Sequence, residues 1–441
     1  MRYIPKFDPD YNPAYLALNA FFKTATKDVL VAVERENGLM YVKRIPINED
    51  LNESYFYVER IIKSILWLVG GYKVYVSNKE IYDLLNKDYS ENGVRAFDYH
   101  FVTKVYEKPF EVVYCPEESF PKEKNMNVKC GGHTKGCRIG FDAGGSDRKV
   151  SAVIDGEVVY SEEVIWFPKI TKDYKYHYKE ILEAFKTASS HMPRVDAIGV
   201  SSAGIYIDNR AMVASLFMSV PQDDFDKYVK DIYINVSKEF GNVPLVVAND
   251  GDVTALAGAM ELNDNCVLGI AMGTSEAAGY INKDGCLNGW LNELAFVPVD
   301  FNKDAMVDEW STDYGCGVKY FSQDGVIKLA EKAGIMLEGS PAEKLKKVQE
   351  LCVENNQDAL QIFKDIGIYL GYAIGYYSMY YELKYLLILG RVTSGIGGSL
   401  IIEYATKVLK ELELDIKLVT PDEKSKRLGQ SVVAASLPEL K

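Results

Sequence analysis

Three glycine-rich turns, each directly behind an apolar strand-like run, carry the most legible chemistry in this sequence: FDAGGS at 141–146, AMGTS at 271–275 and LGRVTSGIGG at 389–398. Glycine lets a backbone approach an anion and aim its N–H groups at it, and serine or threonine hydroxyls add donors, so facing turns of this kind suit a polyphosphate. Taken singly, each is equally a tight hairpin with glycine at positive φ. The second feature is Asp250, which ends the apolar run VPLVVAND. Ligands of α/β sheets bind at the carboxyl ends of strands, and a carboxylate within reach of a substrate hydroxyl can take its proton. Asp250, Asp252 and Thr254 also suit a helix start, so the residues alone leave base and N-cap open.

The elements around these residues alternate strand and helix, which argues for α/β layers. Residues 1–135 open with a strand pair around Asn37-Gly38, a strong hairpin signal, then a helix over 53–69, a strand YKVYVS and a helix KEIYDLL. A Lys-, Glu-, Pro- and Gly-rich stretch, CPEESFPKEKNMNVKCGGHTKG, reads as a linker. The chain then starts again with CRIGFDA, a turn, VSAVID and EVVYSEEVIWF, a helix over 171–192 and the strand VDAIGVSS. The order echoes the first module, which is either a degenerate repeat or an unrelated appended α/β domain. Beyond lie PLVVAND with its helix, CVLGIAMG, AAGYIN, a helical stretch over 342–381, the strand YLLILG and a helix from about Ser399.

In order and content the three turns resemble the phosphate 1, phosphate 2 and adenosine motifs of the actin, Hsp70 and sugar-kinase superfamily. The sequence is most similar to the ROK family of sugar kinases, repressors and uncharacterised reading frames, from about residue 137 to 438. PLVVANDGDVTALAGAM looks like the family's Asn-Asp segment, IFKDIGIYLGYAIG like its interdomain helix and LGQSVVAASL like its closing helix. The resemblance implies an α/β protein of the two-lobed actin-like ATPase (RNase H-like) fold. The first lobe would be 136–250 with a helix 426–441 returning to it, the second 251–425, and residues 1–135 an additional N-terminal α/β module. It also implies a carbohydrate kinase using ATP and Mg, acting on a glucose-like hexose or an N-acetylhexosamine. Asp142 would hold the metal through water; Gly144, Gly145, Ser146, Gly273, Thr274, Gly390 and Gly395 would bind the nucleotide. Asp250 would be the base, with Asp252 in reserve, and Asn249 and Glu293 would bind the sugar.

The departures from that pattern are specific. The family's Gly-Glu-Ile-Gly-His segment, whose His binds sugar and a structural zinc, is NELAF here, so Phe296 replaces the His, and no Cys-x-Cys-Gly cluster follows. Phenylalanine cannot ligate zinc. Glu276 adds a carboxylate beside the second phosphate turn, where it would repel phosphate, and Arg391 stands where a second glycine is common. Arg391 could reach phosphate or block adenine. Cys130, His133 and Cys137, with Cys115 earlier, offer zinc ligands at poor spacing in what reads as a linker. These departures keep a rival alive: a non-catalytic sugar or nucleotide sensor on a degenerate kinase fold.

Composition bounds the rest. The 441 residues are 48% hydrophobic and 26% charged, which suits two or three folded units. A net charge of -13 repels nucleic acid. The N-terminus lacks an apolar signal core, and Tyr369 to Gly390 is interrupted by Glu382 and Lys384, so no membrane span is expected. Seven scattered cysteines suit reduced thiols in a cytoplasm. The Tyr-rich run YLGYAIGYYSMYY, with Gly371 and Gly375 four apart, suits close helix packing in the core or in a homodimer.

Overall fold

In a computed structural model that describes residues 2–126, 128–421 and 429–440, Asn37 and Gly38 both take positive φ (55° and 68°). That turn lets Lys27–Glu34 pair antiparallel with Met40–Ile47. Lys73–Val76 joins the other edge of Lys27–Glu34 antiparallel, and Glu111–Tyr114 lies parallel beyond it. The N-terminal sheet is therefore not an echo of the later one: there, Ala197–Ser202 returns parallel to Cys137–Ala143 after the intervening helix.

The chain divides into two units, each assembled from separate stretches of sequence. One unit holds Met1–Met126, Ile270–Ala278 and Trp290–Thr420; the other holds Asn127–Gly269, Gly279–Gly289 and Pro421–Lys441. Residues 1–126 thus share a unit with later segments, and a buried network of charges is among the contacts that join them. Helix Leu51–Leu68 carries Arg60 and Lys63, both 0% exposed. Arg60 pairs with Glu59 (2.9 Å) and Asp313 (3.0 Å), and Lys63 with Asp98 and Asp313 (3.2 Å each). Arg95 adds Glu59 (2.7 Å) and Asp313 (2.8 Å), so three cations face three carboxylates. Buried charges persist only when paired in this way.

The same helix ends against the segment that carries Glu293. The carbonyls of Leu68 and Trp67 accept from the backbone N–H groups of Asn292 and Glu293, at 3.0 Å each. The stretch expected to be helical over 342–381 is two helices, Pro341–Val353 with a Ser340/Glu343 capping box and Gln357–Tyr377 capped by Asn356. Gly371 is required by close packing, since a Cβ there would stand 2.4 Å from Val408 of helix Gly395–Glu411. Tyr372, Tyr376 and Tyr377 are buried inside this unit. Strands Lys417–Val419 and Tyr385–Leu389 lie parallel, followed in the sheet by Val267–Met272 and Glu276–Ile281, whose ends flank the turn 273–275.

In the second unit a five-stranded sheet runs Leu245–Asn249, Ala197–Ser202, Cys137–Ala143, Asp147–Ile154, Glu157–Ile165. The first three are parallel and the last three form an antiparallel meander. Helix Gln430–Ala435 lies on this sheet where glycines admit it: a Cβ at Gly140 or Gly199 would come within 1.7 Å of the carbonyl of Ser431 or Ala434. The start of the expected 426–441 helix, residues 426–428, lies outside the described residues. Among the described residues, no helix is long and apolar enough to cross a membrane.

Candidate functional site

In the second unit the register sets the candidate residues in one row. Asp142 lies opposite Ser201, and Ser202 opposite both Ala143 and Asn249, at the carboxyl ends of three adjacent parallel strands. Ser201 Oγ stands 2.9 Å from Asp142 Oδ1 and 3.0 Å from Gln430 Oε1, so its single proton serves one acceptor at a time. Gln430 Nε2 donates to Thr254 Oγ1 (2.7 Å), which donates to the carbonyl of Asp250 (2.8 Å). Gln430 thereby links the Asp250 backbone to Ser201, the hydroxyl that also faces the Asp142 carboxylate. Burial pushes the Asp142 carboxyl up to about 6, with the charges of Asp250 and Asp147 adding to the rise and the Ser201 bond and Lys149 opposing it.

Asp250 is the first residue of helix Asp250–Leu262, and the cap role falls to its neighbour. Asn249 Oδ1 accepts from Gly251 N–H at 2.7 Å, and its Nδ2 donates to the Gly204 carbonyl at 2.7 Å. The Asp250 carboxylate also accepts from Gly251 N–H, at 3.0 Å. Burial nonetheless raises its pKa, against that bond and the nearby charge of Lys169. Asp252 is committed elsewhere, its Oδ1 accepting the Tyr280 N–H at 3.1 Å. This tie rests on Gly279, where a Cβ would stand 2.2 Å from the Asp252 nitrogen. Asp250 is therefore left as the carboxylate that neither caps the helix nor joins it to a strand.

The turn Gly144-Gly145-Ser146 follows Asp142 and is bridged from behind by Trp166, whose indole N–H donates to the Gly144 carbonyl (2.7 Å) and whose backbone N–H donates to Ser146 (3.1 Å). Gly145 and Ser146 are exposed. Asp142 suits a divalent cation held through water: it is a half-buried carboxylate burdened by two further negative charges. Magnesium keeps most of its waters and needs no all-protein cage. Among the described residues, no group of three or more His, Cys, Asp or Glu is placed to hold a metal.

The first unit brings the other two turns together. Gly390 takes φ 106° and passes so close to Met272 that a Cβ would stand 2.2 Å from its carbonyl, while Gly395, at φ 64°, opens helix Gly395–Glu411. Arg391 Nη2 donates to Thr274 Oγ1 at 2.5 Å, and the Arg391 carbonyl accepts from Gln349 at 2.7 Å. Arg391 thus reaches the second phosphate turn. Among the described residues, a Cβ at Gly273 would meet only the Ser275 carbonyl within 4 Å, and the Gly273 N–H donates to that carbonyl at 2.9 Å.

Glu276 is 4% exposed, and neither carboxyl oxygen has a hydrogen-bond partner among the described residues. Burial, with the Glu293 charge in support, pushes it up to about 8, so the neutral form that cannot repel phosphate is favoured below that pH. Because the folded protein holds this proton above its ordinary value of 4.5, stability falls as pH climbs from about 4.5 to about 8 and levels off beyond. Glu276→Gln removes that slope: urea midpoints should favour the variant increasingly across this range. Parallel curves for the two proteins would show that Glu276 ionises normally.

Around Phe296 the packing is aromatic. Phe296 packs on Trp67, ring centroids 4.3 Å apart, and on Phe97 at 5.9 Å. Cys316 is buried and its thiol is pushed up to about 12, chiefly by desolvation. Cys130 and Cys137 are buried too; the Cys130 thiol is raised to about 11 by burial, and His133 Nε2 lies 3.4 Å from the Lys129 carbonyl. Sequence reasoning missed Ser201, Gln430, Trp166 and Lys169. Ser201 and Gln430 sit in runs, VDAIGVSS and LGQSVVAASL, that were singled out as elements, yet no local pattern marks which hydroxyl or amide meets Asp142.

Among solved structures, the ROK hexokinase from Thermus thermophilus is similar with a TM-score of 0.53 at 15% identity, covering 68% of this chain and 96% of that one. A ROK family transcriptional regulator, a homologue of the E. coli MLC protein, matches with a TM-score of 0.50 at 17% identity, over 68% of this chain and 78% of its own. No family profile and no curated protein matches the sequence.

Proposed function

The chain has the two-lobed actin-like ATPase fold seen in the ROK hexokinase, and from that premise we propose that it is an ATP-dependent carbohydrate kinase, moving the γ-phosphate of Mg-ATP to a hydroxyl of a hexose or N-acetylhexosamine. The observation that carries the reading is Asp250: a carboxylate at the end of a parallel strand, where Asn249 takes the cap role, with its pKa raised by burial. In this reading Asp250 takes the proton of the sugar hydroxyl, and Asn249, whose amide keeps one N–H and one lone pair to spare, orients the ring with Glu293. In the second unit the backbone N–H groups of Gly144, Gly145 and Ser146 would receive phosphate; in the first, the Gly273-Thr274 turn would do so through Thr274, since the Gly273 N–H is given to the Ser275 carbonyl at 2.9 Å, and Gly390 and Gly395 would shape the adenosine contact. Asp142 would hold Mg through water, and the ion would neutralise charge on the transferring phosphoryl group.

A second reading, a sensor without turnover, draws support from Arg391, which already occupies the Thr274 hydroxyl, and from the regulator among the structural neighbours. Coupled ADP release with Mg-ATP across hexoses, hexosamines and N-acetylhexosamines separates the two. The kinase reading expects one sugar class to raise release well above the sugar-free rate. No stimulation by any sugar, with ATP or a sugar still binding in calorimetry, would put the sensor in its place.

A further inference from the structure

Lys169 stands in a short segment that is bolted to the first glycine-rich turn. On the near side Trp166 makes its two bonds to Gly144 and Ser146. On the far side the Phe167 N–H donates to Tyr176 (3.0 Å), Thr171 Oγ1 donates to the Phe167 carbonyl (2.6 Å), and the His177 ring N–H donates to the Thr171 carbonyl (3.1 Å). The Lys169 carbonyl itself accepts from Ser219. The backbone is held at both ends while the side chain is exposed and lies along Gly145: a Cβ built there would meet Cε at 3.0 Å and Nζ at 3.1 Å. The ammonium has no ion-pair partner among the described residues, and its charge acts on Asp250. An unpaired cation fixed over an exposed glycine turn, within electrostatic range of a buried carboxylate, is arranged to receive an anion.

We propose that Lys169 binds the terminal phosphate of a polyphosphate substrate at the Gly144–Ser146 turn and neutralises it during transfer. The inference rests on the kinase reading for its reaction, but the anion site can be tested without it. Besides Lys169, the titratable groups that sense Asp250 are Asp142 and Tyr206.

The full chain, its Lys169→Met variant and its Lys169→Arg variant would be titrated by calorimetry with inorganic tripolyphosphate and with Mg-ATP, and assayed for turnover against pH. Because Lys169 is exposed, none of the substitutions should disturb folding. The expected result is at least tenfold weaker binding of both probes to the Met variant, with partial recovery in the Arg variant. The acid limb of kcat/KM should also move to higher pH, since removing a positive charge near Asp250 raises its pKa; a merely structural role would not move that limb. If no sugar supports turnover yet tripolyphosphate binding is lost on Lys169→Met, the anion site stands and the kinase reading falls. If turnover is found and the Met variant matches the parent in binding and pH profile, Lys169 falls and the kinase reading stands. A parent chain that binds neither probe overturns the Lys169 site outright.

Discussion

Asp250→Asn should lower kcat at least ~100-fold while leaving calorimetric sugar binding within a few-fold of the parent, the range expected when a general base is lost. The separation is expected because Asn249, not Asp250, caps the helix. The substituted amide oxygen can still accept from Gly251, as the carboxylate does at 3.0 Å. The variant should be no less stable than the parent at neutral pH, since burial disfavours the charge that is removed. Asn249→Ala makes the opposite error and should cost about 1 kcal/mol through the lost cap. An Asp250→Asn protein that retains more than a tenth of the turnover would remove this residue as the base.

The second large effect is on stability. Arg60→Met should destabilise the first unit by ~3–5 kcal/mol, because it leaves two cations, Lys63 and Arg95, facing the three buried carboxylates of Glu59, Asp98 and Asp313. Removing Arg60 and Asp313 together, which leaves two cations and two carboxylates, should cost less than the sum of the single changes. Urea unfolding followed by fluorescence gives both numbers. Simple additivity would show that the pair is not coupled.

Much of this was readable one element at a time. The CRIGFDA strand is the observed Cys137–Ala143, PLVVAND contains the observed Leu245–Asn249, and the Asn37-Gly38 turn closes the expected hairpin. Local pattern suffices where backbone chemistry is local: glycine at positive φ, alternation of buried residues, an apolar run ending in Asp. It fails where the deciding partner is distant. Nothing local in helix Leu51–Leu68 says that its charged residues are buried, yet Arg60 meets Asp313 across 253 positions. Asp250 and Asn249 were both legible as candidates, but which one capped the helix was set by the Gly204 carbonyl, 45 residues away. The hairpin of Ile205–Ile207 with Arg210–Val213 went unread because its strands are too short for a period to show.

The helix seated on Gly140 and Gly199 has a consequence for how this protein is made. Its Ser431 bonds Ser151 across 280 positions, and the last strand of the sheet ends at Asn249 while the helix begins at Gln430, so at synthesis rates of about 5–20 residues per second the strands are complete roughly 9–36 s before their cover emerges. During that interval the glycine-lined face that will receive Ser431 and Ala434 stands bare, and the Asp142 end of the sheet lacks Gln430. Nascent chains stalled before residue 430 should therefore be the aggregation-prone species, held by chaperones, and their release should coincide with arrival of the helix and not with completion of the strands.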